Sequence, residues 1–382
     1  VGVPFLTTNI SSQVFEEVRA LVEKGLYGSP GQFLEIAAFN QLSLERGVKP
    51  ADLPVRSRPS STSQAKGAPR EQNADARPHR RTGMASRPRS SRSGGDDLSE
   101  RHVSAVLTRF SIAKCRDLQL PPMSAEPRPS SERLWGQVNR LFPLTLACRW
   151  IAVASADAGA WLKHEALSEG LVRDAANLGS ILAACDAKAN RKRDEPLGTG
   201  LPRRGNLASH DRFLSQYIAR TTRTEDIYPG AICQYALATF DGDRLILTEP
   251  GLALSKIANP ILELDPHRAV EVLSSGAIAT LSDRERDFFV KQALAFVPGE
   301  LRDLRAILRA IIDHHATPDT LLTAARPDLP QHWSHMMTRT HVTGVVARLT
   351  EMGLIRRKWE GRNAHYEPTS SGIEFAAEEA LR

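Results

Sequence analysis

Hydrophobic positions along the chain fall into three regimes. Near the N-terminus a short extended segment, Val3 to Ile10, precedes apolar residues at helical spacing: Val14, Val18, Leu21 and Val22. Gly25 stops that helix, and Ser29-Pro30 reads as an N-cap followed by proline at the first helical position. A second helix is predicted from Pro30 to about Glu45, with Phe33, Leu34, Ala37, Ala38 and Leu42 inward. The pattern then vanishes. From Lys49 to about Gly95 the chain is Ser, Pro, Arg, Gly and Ala with almost no large apolar residue. Such a stretch buries too little surface to offset the entropy of ordering, so residues 47–130 are expected to be a disordered linker, with one helix at most between Asp97 and Leu120.

The third regime runs from Ser131 to the end and reads as globular. Helices are predicted at Ser131 to Leu141, Leu144 to Ser155, Ala160 to Ala189 and Asp211 to Arg223. Ala231 to Phe240 and Arg244 to Thr248 read as two strands around Asp241-Gly242-Asp243, since Asp-Gly between apolar runs is a strong hairpin signal. Thr248 to Ile257 returns to helix until Asn259-Pro260 breaks it. Ser282 and Glu285 form a capping box at the start of a long helical region that Pro298-Gly299 interrupts. Glu300 to His314 then turns Leu301, Leu304, Ile307, Leu308 and Ile311 inward.

In the last part, Thr317-Pro318 caps a helix to Ala325, a polar turn follows, and a further helix spans His335 to Met352. Its inner face is Val342, Val345, Val346, Leu349 and Met352. Its outer face carries Thr340, Thr343 and Ala347, flanked by Arg339, His341 and Arg348. Gly353 ends it, and two strands follow, Leu354 to Trp359 and Ala364 to Glu367. Arg356, Arg357, Lys358 and Arg362 crowd this hairpin, and a final helix begins near Ser371. The fold class expected is mainly α with short β-hairpins, in four parts: 1–46, the linker 47–130, 131–265 and 266–382.

Charge favours a polyanionic partner: the formal net charge of the 382 residues is +6. Between Arg56 and Gly95 ten cations face only Glu71 and Asp75, so the linker could hold phosphates loosely or serve as a solvated spacer. Cys115, Cys148, Cys185 and Cys233 are scattered and none sits in a CxxC or CxxH spacing, which argues against a zinc finger or a disulfide framework and suits a reducing cytoplasm. No run of 18 apolar residues exists, so no membrane span is expected, and no basic-then-apolar secretion signal opens the chain. The chain opens on Val1, not Met, as a truncated or alternatively started reading frame would. GxxxxGK[ST], GxGxxG and GxSxG are all missing. His314-His315 lacks an HExxH context, and Asp241 and Asp243 lack the other oxygen ligands of a calcium loop. Neither catalytic residues nor a metal or cofactor is expected.

Two resemblances give these patterns a function. The stretch LTEMGLIRRKWEGRNAHYEPTSSG, Leu349 to Gly372, with the helices before it, resembles the winged helix-turn-helix domain of MarR-like regulators. The resemblance implies a recognition helix in the major groove, using Arg339, Thr340, His341, Thr343 and Arg348, and a wing holding phosphates through Arg356, Arg357, Lys358 and Arg362. Leu6 to Leu42 resembles the ribbon-helix-helix (CopG/Arc-like) family. This implies a homodimer paired through the N-terminal strand, Thr7 and Asn9 facing bases, and Ser29 at a backbone phosphate. A fainter internal echo joins RLILTEPGLAL, from Arg244, to YEPTSSGIEF, from Tyr366. Each places Thr, two residues, then Gly after a strand: Thr248 and Gly251, Thr369 and Gly372. It marks 131–265 as a candidate earlier winged helix whose acidic turn suits a protein partner better than DNA.

The expectation is a cytoplasmic, homodimeric, prokaryotic transcriptional regulator that binds double-stranded DNA. The alternatives are a plasmid or phage replication initiator or partition protein, and a winged-helix scaffold that binds proteins.

Overall fold

The computed structural model describes residues 12–23, 98–120, 133–134, 137–158, 161–191, 195–221, 227–276, 278–361 and 363–377. The chain forms two compact units, Val1–Pro88 and Arg89–Arg382. In the first, helix α1 (Ser12–Glu23) stands where the apolar spacing predicts it, with Val18 buried and Val14 and Phe15 exposed. The expected ribbon strand with Thr7 and Asn9, the second helix with Ser29, and the linker up to residue 97 lie outside the described residues.

The second unit is mainly helical with small antiparallel sheets. It starts earlier than the sequence suggests. Helix α2 (Glu100–Thr108) falls inside the expected linker, yet it buries Val103, Val106 and Leu107 at helical spacing, and the Ser99 side chain caps it by accepting from the His102 N–H. Those apolar residues supply the burial that the Arg-rich stretch lacks, so residues 98–120 belong to the folded unit.

Helix α3 (Phe142–Ala158) begins at the Phe142-Pro143 step. The helix expected over Ser131 to Leu141 is not formed: residues 133, 134 and 137–140 are non-helical, and Leu134, Val138 and Leu141 are buried along an irregular segment. The single helix expected from Ala160 is corrected too. Strand β1 (Leu162–Lys163) comes first, then a helical turn at His164–Ala166, a π-helical turn at Leu167–Leu171, and helix α4 (Val172–Lys188). Leu162 leaves the helical path because it pairs with a strand far along the chain.

Helix α5 (Leu207–Phe213) runs into a π-helical turn and then into a hairpin, β2 (Ala219–Thr221) with β3 (Ile227–Pro229), in place of the helix expected to Arg223. A four-residue helix, α6 (Ala231–Gln234), replaces the start of the next predicted strand. The Asp241-Gly242-Asp243 hairpin does form, between β4 (Ala238–Asp241) and β5 (Arg244–Leu247), with Gly242 at φ +59° in the turn. Strand β5 lies centrally between β1 and β4. Helices α7 (Glu249–Ser255) and α8 (Pro266–Ser274) follow.

The C-terminal elements match their sequence signals closely. The capping box of Ser282 and Glu285 opens α9 (Asp283–Lys291). Helix α10 (Pro298–Ile312) buries Leu304, Ile307, Leu308 and Ile311, with Leu301 half-buried. Thr317 caps α11 (Pro318–Ala325), and Ser334 caps α12 (His335–Glu351). The hairpin β6 (Ile355–Glu360) and β7 (Asn363–Pro368) leads to α13 (Ser370–Ala377).

One buried turn occurs twice. In the middle of the chain, after α6, Ala236 takes φ +53° and the Leu237 N–H donates to Ile232 O; the Leu237 carbonyl then accepts from Thr248 N, at 3.0 Å. The Thr248 hydroxyl donates to Ala236 O and accepts from Gly251 N. After α12, Gly353 takes φ +74° and Leu354 N–H donates to Leu349 O; the Leu354 carbonyl accepts from Thr369 N, at 3.0 Å. The Thr369 hydroxyl donates to Gly353 O and accepts from Gly372 N. In both, the helix after the hairpin is pressed onto the turn. A Cβ on Gly251 would lie 1.8 Å from Leu237 O, and one on Gly372 2.0 Å from Leu354 O, so only glycine fits. The third strand has a counterpart as well. Leu162 pairs with Leu245 of β5, and Tyr366 N–H of β7 donates to Ala316 O in the stretch between α10 and α11. The echo read between the two Thr-x-x-Gly segments is therefore a repeated hydrogen-bond motif.

The two copies are bolted together inside the unit by α12. Fully buried Arg348 binds Glu300 of α10 through Nε and Nη2, at 2.6 and 2.9 Å, and its Nη1 donates to the Val138 carbonyl. Burial is the largest single influence and opposes charge on Arg348, but Glu300, by charge and hydrogen bond, together with Tyr235 and Tyr217, leaves the guanidinium pKa raised. Glu351, at the end of the same helix, accepts from the backbone N–H groups of Leu141 and Phe142 and from the Thr280 hydroxyl. The Leu141 and Phe142 N–H groups are otherwise orphaned donors at the start of α3, so the C-terminal helix caps the first helix of the middle repeat.

Candidate nucleic-acid interface

Helix α12 has one buried and one exposed face. Val342, Val345, Val346 and Leu349 fill the core against α10 and α11. Arg339 and Thr343 are exposed and Thr340 is half-buried, as expected of an outward face. His341 and Arg348 are not on it, and this corrects their assignment as DNA-contacting residues. His341 is 3% exposed, its Nε2 lies 2.9 Å from Asp303 Oδ2, and its ring packs edge-on against Trp333. Asp303 also takes Arg133 Nε at 2.9 and 3.0 Å. Arg348 is consumed by Glu300 and Val138. Neither can reach a partner without unpairing a buried charge. Helical spacing carried the signal: His341 stands four residues before Val345, and Arg348 three after it, on the apolar stripe.

The hairpin sorts its cations by strand alternation. Arg357 faces the core side with Trp359 and Tyr366, its guanidinium 5.9 Å from the Trp359 ring centroid and 5.1 Å from that of Tyr366. Arg356 and Lys358 lie on the other face. Lys358 Nζ bonds Glu367 Oε1 at 2.7 Å, and His365 lies 3.3 Å from Glu360. Glu367 is also the cross-strand partner of Arg356, with which it makes no ion pair. Arg356-Arg357-Lys358 is thus not one cationic patch. Among the described residues, Arg339 and Arg356 are exposed without a hydrogen bond or ion pair. Arg362, at the hairpin tip, lies outside the described residues.

A groove of about 580 Å³ separates the exposed stripe of α12 from this hairpin. Arg339 and Thr343 line one wall, Arg357, Trp359 and His365 the other, and Asp319 at the start of α11 adds one acid. The sequence reading missed Trp359, His365 and Tyr366; the period-two alternation from Arg357 to Trp359 was the signal available. Such a groove can seat a phosphodiester strand while the stripe approaches base edges.

Elsewhere, no group of three or more His, Cys, Asp or Glu able to hold a metal occurs among the described residues, and no described helix is long and apolar enough to cross a membrane. Cys115, Cys148 and Cys185 are buried free thiols, with pKa values raised by burial, and Cys233 is a partly buried one, its pKa pushed up to about 12. The hairpin tip of the middle repeat carries exposed Asp241, Asp243 and Arg244. No known protein family, curated protein or solved structure matches the chain.

Proposed function

We propose that the protein is a sequence-specific DNA-binding transcriptional regulator whose C-terminal repeat is a winged helix-turn-helix domain facing the duplex. The observation that carries this reading is a helix and an adjoining two-stranded hairpin that flank one groove, lined by Arg339 and Arg357, with Arg356 exposed on the outer face of the same hairpin. The order α10, α11, α12, β6, β7, α13, with β7 bonded to Ala316 between α10 and α11, fits a winged helix in which α12 is the recognition helix and the hairpin the wing. The middle repeat is a second winged helix whose acidic tip suits a protein partner, and the N-terminal segment that resembles a ribbon-helix-helix is the homodimer contact. No cofactor takes part.

The test is anisotropy of the full chain on random-sequence duplexes across a salt series. Each phosphate that a removed cation no longer neutralises should reduce the slope of log K against log salt by about 0.9. Arg339→Ala with Arg356→Ala should therefore flatten it by up to about 2. An unchanged slope would rule out this surface, and binding to protein but not duplex would favour a scaffold. The repeated buried turn favours one second reading, an initiator or partition protein with two winged helices in tandem. Footprints would separate the two, since an initiator protects arrays of repeated sites and a regulator a promoter.

A further inference from the structure

Helix α12 presents to solvent two large apolar side chains that its packing does not explain. Met336 is 54% exposed and Met337 45%, in the first turn after the Ser334 cap. The residues that face inward from this end are Thr338, His341 and Val342, all buried. Met336, Arg339 and Thr343 stand at successive helical steps of three and four, so they share one outward stripe. Arg339 and Thr343 of that stripe line the groove beside the hairpin, and Arg339 makes no ion pair or hydrogen bond among the described residues.

We infer that this stripe selects the bases: Met336 packs on a thymine 5-methyl group in the major groove, and Arg339 reads a neighbouring guanine through its N7 and O6. The inference rests on the DNA-binding reading above and goes on to name what is read. A flexible thioether side chain suits an apolar contact of imprecise shape. The thymine methyl is the apolar feature the major groove offers, and a free guanidinium matches the paired acceptors of guanine. The rival occupant, a second copy of this chain, would also cover methionines. Charge complementarity favours DNA, because two cations, Arg339 and Arg357, line the groove, where Asp319 is the one acid in the lining.

The experiment selects binding sites with the full chain from random duplex pools made with thymine, with deoxyuridine in its place, or with 7-deazaguanine. The wild-type protein should enrich a site containing adjacent T and G. Deoxyuridine at that T should weaken binding about 4-fold, the value of one buried methyl. 7-Deazaguanine at the G should weaken it about 10-fold or more. Met336→Ala should bind the thymine and deoxyuridine sites equally, and Arg339→Ala should lose the guanine preference. Enrichment that is indifferent to deoxyuridine, or a Met336→Ala variant that keeps its thymine preference, would overturn the inference while the DNA-binding reading stands. Retention of no duplex from any pool would overturn both. A Met336→Glu, Met337→Glu variant that turns a dimer into a monomer, with its selected site unchanged, would assign the methionines to the copy interface instead.

Discussion

The middle and C-terminal repeats share a buried turn and differ in nearly everything they expose. Both set a left-handed residue after a helix, a threonine that ties the hairpin's exit strand to that turn, and a glycine that lets the next helix lie on a carbonyl. In the C-terminal copy a continuous helix, His335–Glu351, leads into the turn and offers an outward stripe. In the middle copy the corresponding stretch is broken into α5, a π-helical turn, the β2–β3 hairpin and four-residue α6. The hairpins differ as well: exposed Asp241 and Asp243 flank the turn of one, and exposed Arg356 stands on the first strand of the other. The lesson is that a repeated hydrogen-bonded turn preserves an architecture, while the helix leading into it decides whether the copy offers a continuous outward stripe, on which the proposed DNA contact depends.

The largest expected effect comes from breaking the link between the repeats. Arg348→Ala leaves Glu300 buried without its partner and the Val138 carbonyl without a donor, which should cost about 3–5 kcal/mol in urea unfolding. An unfolding curve unchanged by the substitution would show that the two copies do not depend on this link. Gly251→Ala and Gly372→Ala should each cost about 3 kcal/mol, because the added methyl meets a backbone carbonyl that must move. Equal losses would show the two turns to be equivalent, and a loss in only one would break the comparison.

Glu285, in the capping box between the copies, gives a pH signature. Fully buried, it accepts from Asn259 Nδ2 and from the Ser282 backbone and hydroxyl, and desolvation pushes its pKa up from 4.5 to about 7 despite those bonds. The folded protein then holds a proton that the unfolded chain has released. Its contribution to stability is full below 4.5 and is lost as pH rises through about 7. Glu285→Gln should flatten that decline in unfolding free energy, and a slope that persists would place its origin elsewhere. The smallest effect separates the two left-handed residues. Ala236→Gly relieves a strained φ and should stabilise by up to about 1 kcal/mol, whereas Gly353→Ala should destabilise by about as much. Thermal unfolding of the pair would detect the opposite signs.

Much of the C-terminal repeat was legible in the sequence, because its signals are local. Thr317-Pro318, the Ser282 and Glu285 box, the valine stripe of α12 and Gly353 each act within one or two turns. The middle repeat was legible mainly at Asp241-Gly242-Asp243 and Thr248. Strand β1 and the irregular 133–141 segment are fixed by partners far along the chain, Leu245 for Leu162 and Arg348 for Val138, which no local period encodes. At the candidate site, Arg339 and Thr343 were readable as outward positions. His341 and Arg348 were misassigned because charge was weighed over their place on the apolar stripe. The sorting of Arg357 from Arg356 and Lys358 follows from pleat alternation, but the Glu367 partner of Lys358 needed the strand register.

The most direct measurement is amide hydrogen exchange of the full chain with and without random-sequence duplex DNA. We expect added protection at the start of α12, residues 335–343, and along the 355–367 hairpin, with none at the 238–247 hairpin of the middle repeat. Protection confined to 238–247, or no change at 335–343, would contradict the claim that the C-terminal copy is the one that meets the duplex.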